Sequence, residues 1–211
     1  MKNMEKSIYT IKAVKPNTPF GYSFLKRIFD IFCSLIMGIV LFPIMLIIAV
    51  MIRLSSPGKV LYKQERLGIN GKKFNILKFR TMREDAEANG PKWAERNDDR
   101  CTKLGAKLRK CRLDELPQLW NIFVGDMSFV GPRPERECFY QEFETYIHGF
   151  SNRLVVLPGL TGLAQVCGGY DLLPEEKIVY DMEYIEKRSL WLDFKLICKT
   201  VKVIFARKGA R

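Results

Sequence analysis

Residues 31–52 carry no charge, are apolar almost throughout and hold a proline, Pro43, near their middle. No other feature constrains this chain as much, because so long an apolar run needs a bilayer or a large core to cover it. Its 22 residues exceed the roughly 18 that mark a membrane helix, and one straight helix of that length measures about 33 Å. It begins too far into the chain, and is too long, for a cleaved signal peptide. Pro43 removes a backbone donor and clashes with the preceding turn, which kinks or breaks a helix. Both flanks are basic, with Lys26 and Arg27 before the run and Arg53, Lys59, Lys63 and Arg66 after it. A spanning helix usually keeps its cation-rich end on one side only. The residues therefore leave two readings open: a kinked single-pass helix, or one that enters a leaflet, bends at Pro43 and returns.

The remaining length of this 211-residue chain suits one ordinary domain. A formal net charge of +12 favours an anionic partner: nucleic acid, lipid headgroups or a phosphorylated ligand. The six cysteines are scattered without a CxxC pair, which fits free thiols better than a zinc site or a disulfide scaffold. His148 is the only histidine, so a histidine-based metal site is excluded. A Ser-His or Cys-His nucleophile would have to use that one residue, which has no partner pattern around it.

Residues 1–18 read as a loose polar arm. Ser55-Ser56-Pro57-Gly58 stops the apolar helix. Residues 60–66 and 74–82 read as short strands around a turn at 68–71, followed by a helical turn at 84–89 and a charged loop at 92–100. Helices are expected at 103–112, 114–123, 136–147 and 174–187, with tight loops at 158–162 and at Gly168-Gly169. The last piece, 190–206, places Trp191, Phe194, Ile197, Val201, Ile204 and Phe205 at near-helical spacing, with Lys195, Lys199 and Lys202 elsewhere. A basic amphipathic helix of this kind lies in a membrane interface or packs as an outer helix with solvated lysines.

Chemistry concentrates in residues 113–134. Adjacent carboxylates, Asp114 and Glu115, follow the basic run Lys107, Arg109, Lys110 and Arg112, and a Gly131-Pro132-Arg133-Pro134 turn closes the stretch. Phosphoryl transfer needs a nucleophile, cations to neutralise developing charge and a positioned leaving group. A carboxylate can attack phosphorus and carry an acyl-phosphate, and magnesium needs few carboxylates when substrate phosphates complete its shell. Lys78, Arg80, Arg112 and Arg133 are the candidate holders of phosphate oxygens, with Arg133 aimed by Pro132 and Pro134. An Asp-Glu pair at a helix start equally serves as a cap, and most basic residues in such a chain are solvated. Neither a P-loop nor a dinucleotide glycine fingerprint is present.

Several motifs occur in order between residues 24 and 205. They are Lys26-Arg27-Ile28-Phe29-Asp30, Gln64-Glu65-Arg66-Leu67-Gly68, Lys78-Phe79-Arg80-Thr81-Met82, Leu113-Asp114-Glu115-Leu116-Pro117-Gln118-Leu119-Trp120-Asn121, Gly131-Pro132-Arg133-Pro134, Pro158-Gly159-Leu160-Thr161-Gly162, Tyr180-Asp181-Met182-Glu183-Tyr184 and Ser189-Leu190-Trp191-Leu192-Asp193. On these the chain resembles the bacterial sugar transferases, the small monotopic phosphoglycosyl transferases. The resemblance implies transfer of a sugar-1-phosphate from a UDP-sugar to polyprenol (undecaprenyl) phosphate with release of UMP, the first membrane step of exopolysaccharide, capsule or glycoconjugate synthesis. It implies Asp114 as nucleophile, Glu115 assisting with Mg2+ and the acceptor phosphate, and Lys78, Arg133 and Asp181 lining the site. It also favours the re-entrant form of the apolar helix, on the cytoplasmic face of the bacterial inner membrane. Phe42-Pro43 stands where the family often has Ser-Pro, so the hydroxyl that would bond a freed carbonyl at the bend is missing.

The expected fold is thus α+β and mainly helical. A flexible arm (1–20) leads to a Pro-broken re-entrant helix (21–54), then a small cytoplasmic catalytic domain (55–211) with interfacial amphipathic helices. A minimal catalytic unit, possible as a homo-oligomer, is expected, since longer relatives carry an extra multi-span N-terminal region. The rival is a membrane-tethered basic protein that binds anions or assists assembly without catalysis. A nucleic-acid partner is not expected, because the basic residues are not interleaved with stacking aromatics.

Overall fold

The structure, a computed structural model, describes residues 8–88, 90, 98–168 and 172–205, with Ile204 and Phe205 described by backbone alone. The parts of the expected arm, charged loop, Gly168-Gly169 loop and final helix that fall at 1–7, 91–97, 169–171 and 206–211 lie outside the described residues. Seven α-helices and six short strands are described: β1 (Tyr9–Thr10), α1 (Tyr22–Ser55), β2 (Leu61–Leu67), β3 (Lys73–Phe79), α2 (Lys103–Lys110), α3 (Gln118–Val124), β4 (Ser128–Val130), α4 (Glu137–Glu144), β5 (Ile147–His148), β6 (Gly159–Thr161), α5 (Leu163–Cys167), α6 (Pro174–Lys187) and α7 (Leu190–Phe205). The chain is mixed helix and strand, with one long apolar helix near its start.

That helix is a single run of 34 residues, about 51 Å if straight. The expected interruption at Pro43 does not split it. Pro43 faces away from the domain, so the Ile39 carbonyl that loses its bond lies on the open side, where a bend can absorb the loss. The sheltered residues recur at helical spacing: Tyr22, Lys26, Asp30, Ser34, Leu41, Met45, Ile48 and Ile52. One stripe therefore docks on the domain from end to end. Its N-terminal half packs on α3 and β4, and its C-terminal half joins Ile48 and Ile52 to Phe79 and Leu108. The opposite face exposes Phe24, Phe32, Ile39, Val40, Phe42, Ile47 and Leu54.

The N-terminal end of α1 is held by charge as well as packing. Asp193 of α7 accepts from the Tyr22 hydroxyl at 2.9 Å, from Lys26 Nζ at 2.7 Å and from the Tyr184 hydroxyl at 2.8 Å. Arg27 donates to the carbonyls of Ile122 and Phe123 in the last turn of α3. Asp30 Oδ1 accepts the Phe129 N–H on β4.

Three two-stranded pairs replace a larger sheet. β2 and β3, the two strands expected around the 68–71 turn, form an antiparallel hairpin with Tyr62 opposite Lys78 and Gln64 opposite Ile76. β4 pairs in parallel with β6, and β1 with β5. Both parallel pairs depart from the sequence reading. Residues 159–161, expected as a tight loop, are strand, and the expected loose arm runs against the domain from Ile8 onward. Tyr9 donates to the Tyr146 carbonyl, Ile11 and Val14 pack on the core, and Asn17 N–H reaches the Ile185 carbonyl. The helix expected over 114–123 is divided: a 3-10 turn (Leu113–Glu115) precedes α3, because Pro117 has no N–H to continue a helix through itself. Residues 84–88, expected as a helical turn, form successive hydrogen-bonded turns.

Candidate active site

The 3-10 turn that carries Asp114 and Glu115 begins with a backbone reversal. Arg112 sits in the left-handed region (φ 56°), one of two non-glycine residues with positive φ among those described. Such a conformation is costly for a side chain with a Cβ and persists only when its surroundings impose it. Here it turns the chain sharply off the end of α2, whose N-terminus Thr102 caps by accepting the Gly105 N–H. Gly105 is required at that point, since a Cβ would fall 1.9 Å from the Thr81 carbonyl oxygen.

Both carboxylates are buried at the floor of a cleft of about 930 Å³ between the hairpin, α2 and the Gly131-Pro132-Arg133-Pro134 turn. Lys78 Nζ stands 3.1 Å and Arg133 Nη2 2.5 Å from the same oxygen, Glu115 Oε1. Burial alone would raise the Glu115 pKa, but Arg133 and Lys78 outweigh it and hold the carboxyl well below the usual carboxylate range. Asp114 moves the other way. Burial and then the adjacent Glu115 charge raise its pKa, against the pull of Lys78, Arg109 and Arg133. Adjacent residues are thus separated into a firmly ionised, cation-bound carboxylate and a more basic one.

The supporting residues are placed by backbone contacts. Asn121 of α3 accepts the Leu77 N–H and donates to the Asn75 carbonyl, fixing the β3 register that presents Lys78. Arg133 is framed as expected: Pro132 and Pro134 are buried, the Pro132 carbonyl accepts from Gly159, and the Pro134 carbonyl accepts from Arg66. Gly131 and Gly159 meet backbone to backbone, and a Cβ on Gly159 would lie 2.1 Å from the Gly131 nitrogen. The two glycine-proline loops are separate in sequence and form one unit in space.

Two expected residues act at one remove. Arg80 borders the cleft, but its guanidinium donates to the Pro57 carbonyl and to the carbonyl and hydroxyl of Ser56. It braces the end of α1 and has few donors left for phosphate. Asp181 lies on α6 outside the main cleft, with its carboxylate 2.6 Å from Arg153 Nη2. The same nitrogen donates to the Arg133 carbonyl at 2.9 Å. Burial raises the Asp181 pKa to about 6, more than Arg153 and Lys177 lower it. Arg112 lines the cleft beside the dyad.

Arg153, Lys177 and Glu135 escaped the sequence reading. Arg153 is buried and isolated in an unremarkable stretch, and its only sequence signal is a cation within an apolar neighbourhood. Arg66, at the end of β2, ties the hairpin to Glu135 at 3.0 Å.

Among the described residues, no group of three or more His, Cys, Asp or Glu side chains is arranged to hold a metal. Asp114 and Glu115 fit the sparser pattern, in which one or two carboxylates are completed by substrate phosphate and water, since both cations meet Oε1 of Glu115.

Comparison with known proteins then decides the family, because the profile of the bacterial sugar transferases matches residues 21–207. The chain belongs to that family. It is 42% identical over 193 residues to a UDP-N-acetylgalactosamine-undecaprenyl-phosphate N-acetylgalactosaminephosphotransferase of Aeromonas hydrophila, covering 90% of this chain and 46% of that protein. It is 42% identical over 176 residues to a UDP-glucose:undecaprenyl-phosphate glucose-1-phosphate transferase of Xanthomonas campestris, covering 81% of this chain and 36% of the relative. A Caulobacter vibrioides protein named for the same glucose-1-phosphate transfer is 36% identical over 208 residues, which is 96% of this chain and 78% of that one. The chain thus spans less than half the length of the first two relatives.

Proposed function

We propose that this member of the family moves a sugar-1-phosphate from a UDP-sugar to polyprenol phosphate, through a covalent intermediate on Asp114. One observation carries the reading: two neighbouring buried carboxylates, of which Glu115 is bound by Lys78 and Arg133 while burial and that neighbour's charge push the Asp114 pKa up, lie at the floor of a cleft large enough for a nucleotide sugar. Asp114 is desolvated and more basic than an ordinary carboxylate, which makes it the better nucleophile of the two. The names of the similar proteins supply the substrate class.

An Asp114 oxygen attacks the β-phosphorus of the donor, a phosphorus–oxygen bond forms, and the bond to the UMP oxygen breaks. UMP leaves, with the sugar phosphate on Asp114. An oxygen of the polyprenol phosphate then attacks that phosphorus and the Asp114 carboxylate departs, giving a polyprenyl-diphosphate sugar. Lys78 and Arg133, paired with Glu115 in the structure, turn to phosphoryl oxygens as negative charge develops there. Magnesium held by Asp114 and Glu115 would neutralise diphosphate charge. Two sequential half-reactions suit a cleft that need not hold nucleotide and lipid phosphate together.

The monotopic reading is supported by where α1 docks. Tyr22 and Lys26 at one end touch Asp193, Ile52 at the other packs with Phe79, and both partners belong to the same domain. A helix tied to one domain at both ends has both ends on one side of a bilayer. Its open apolar face is continued by exposed Trp120 and Val124 on α3 and by Leu190, Trp191 and Phe194 on α7, where Lys195 stacks on Trp191. Aromatic and lysine side chains in such an arrangement suit a headgroup layer. We place the catalytic domain on the cytoplasmic side, where nucleotide sugars are made.

The test is UMP release by detergent-solubilised protein with magnesium, undecaprenyl phosphate and a panel of UDP-sugars. The reading expects release that needs lipid for turnover and is specific to one or a few sugars. Anion binding without release from any nucleotide sugar would favour the non-catalytic reading.

A further inference from the structure

Behind Arg133 lies a second, much smaller space of about 20 Å³. It is lined by Gln165, Arg153 and Asp181, and shares Arg112, Arg133, Glu135 and Lys177 with the main cleft. That volume admits one hydroxyl, carbonyl oxygen or water, but not a ring. The polar atoms around it are unusually short of partners. Both amide atoms of Gln165 are buried without a hydrogen bond, as are Nε and Nη1 of Arg153, a residue only 2% exposed. Buried polar groups in a folded protein are normally satisfied, so orphans gathered at one recess mark a place where something polar binds.

Gln165 is rigidly related to the phosphate-binding turn. It lies one turn into α5, whose N-cap Gly162 packs so closely on Gly131 that a Cβ would fall 2.3 Å from the Gly131 carbonyl oxygen. The recess is therefore fixed relative to Arg133. We infer that it is a subsite for the transferred sugar, receiving a single hydroxyl or acetamido oxygen of the hexose, which Gln165 and Arg153 hydrogen-bond. The inference rests on the reading of the cleft as a UDP-sugar site. The hexose is attached to the phosphate that Arg133 holds, so its substituents lie within one ring of that phosphorus. The uracil is separated from it by a second phosphate and a ribose. The amide of Gln165 both donates and accepts, which matches a hydroxyl; Arg153 Nε and Nη1 add donors only.

The test compares donor and nucleotide on the full chain in detergent. Gln165→Glu (isosteric) and Gln165→Met are titrated in the Asp114→Asn background with UDP-glucose, UDP-N-acetylgalactosamine and UDP by calorimetry, with UMP release by the same variants of the active chain followed alongside. For the sugar nucleotide the wild type prefers, Kd and KM are expected to rise roughly 3- to 10-fold, the range of one lost neutral hydrogen bond. UDP affinity should change less than twofold. A donor lacking the one hydroxyl that enters the recess should lose a similar factor on the wild type and nothing further on Gln165→Met, a comparison that needs no variant to establish its first half. Unchanged donor affinity in both folded variants, with no deoxygenated donor weakened on the wild type, would mean the recess holds only water and would overturn the proposal. An equal loss for UDP and UDP-sugar would assign the recess to the nucleotide and overturn it as well. No UMP release from the wild type with preserved sugar-dependent binding would sink the transferase reading instead, leaving the subsite standing.

Discussion

Asp114 and Glu115 share a turn and the same cations, yet burial and contact divide them. Glu115 touches Lys78 and Arg133 and its ionised form is favoured; Asp114 sits beside that charge and its ionised form is disfavoured. The signs give opposite contributions to stability. Ionised Glu115 favours folding above the ordinary glutamate value of 4.5, a contribution lost as pH falls toward its lower folded value. Asp114 opposes folding increasingly as pH rises past its ordinary value of 3.8. Replacing Asp114 with Asn is therefore expected to abolish UMP release, by about 10⁴-fold or more, while raising stability at pH 7 by about 0.5–2 kcal/mol. Activity assays and thermal melts on the same preparation check both, and a destabilised variant would contradict the charge assignment. Because the nucleophile must be ionised, the acid limb of the rate should lie above the ordinary aspartate value; a rate–pH profile flat down to that value would count against it. Arg133→Lys keeps the charge but not the planar fork, and should lower kcat by roughly 10²-fold with little change in melting temperature. The dyad, Lys78, Arg133 and both prolines were legible as residues. Arg153 was not, because its role depends on reaching the Arg133 carbonyl from a distant 3-10 segment, Phe150–Val155.

At the scale of elements, sequence patterns sufficed where packing is local. The hairpin and α2, α6 and α7 follow from alternation, a threonine cap and helical spacing. They failed where a short segment is defined by its partner. β4 and β6 are three residues each and far apart in sequence, and what makes them strands is the close approach of Gly131 to Gly159. The arm at residues 8–20 looks polar and free, but Ile11 and Val14 find the core. Arg80 shows the same limit: beside Lys78 it read as a phosphate ligand, whereas it closes carbonyls at the end of α1. Arg80→Gln should cost about 1.5–3 kcal/mol of stability, the range for hydrogen bonds from a charged group. It should leave the KM for the donor less affected than Arg133→Lys does. A KM effect as large as that of Arg133→Lys, with stability unchanged, would restore the phosphate role.

For the whole molecule, the docked stripe of α1 joins the apolar helix and the candidate site in one body: Asp30 holds β4 just before the Arg133 turn, and Ile52 packs beside the strand that bears Lys78 and the helix that bears Arg109. Both ends of α1 should accordingly face one compartment. Phe20→Cys and Leu54→Cys, each in a cysteine-free background, are expected to react with a membrane-impermeant maleimide from the same side of sealed vesicles. Labelling from opposite sides would show a spanning helix and remove the monotopic account. The most direct test of the central claim needs no lipid. Purified protein is mixed with magnesium and the preferred UDP-sugar alone, UMP is quantified, and the intact protein is weighed by mass spectrometry. A single burst of about one UMP per chain, with the added mass of one sugar phosphate that undecaprenyl phosphate removes and Asp114→Asn never acquires, is the predicted result. Turnover on addition of lipid without any burst or adduct, or a burst that persists in Asp114→Asn, would contradict a covalent Asp114 intermediate.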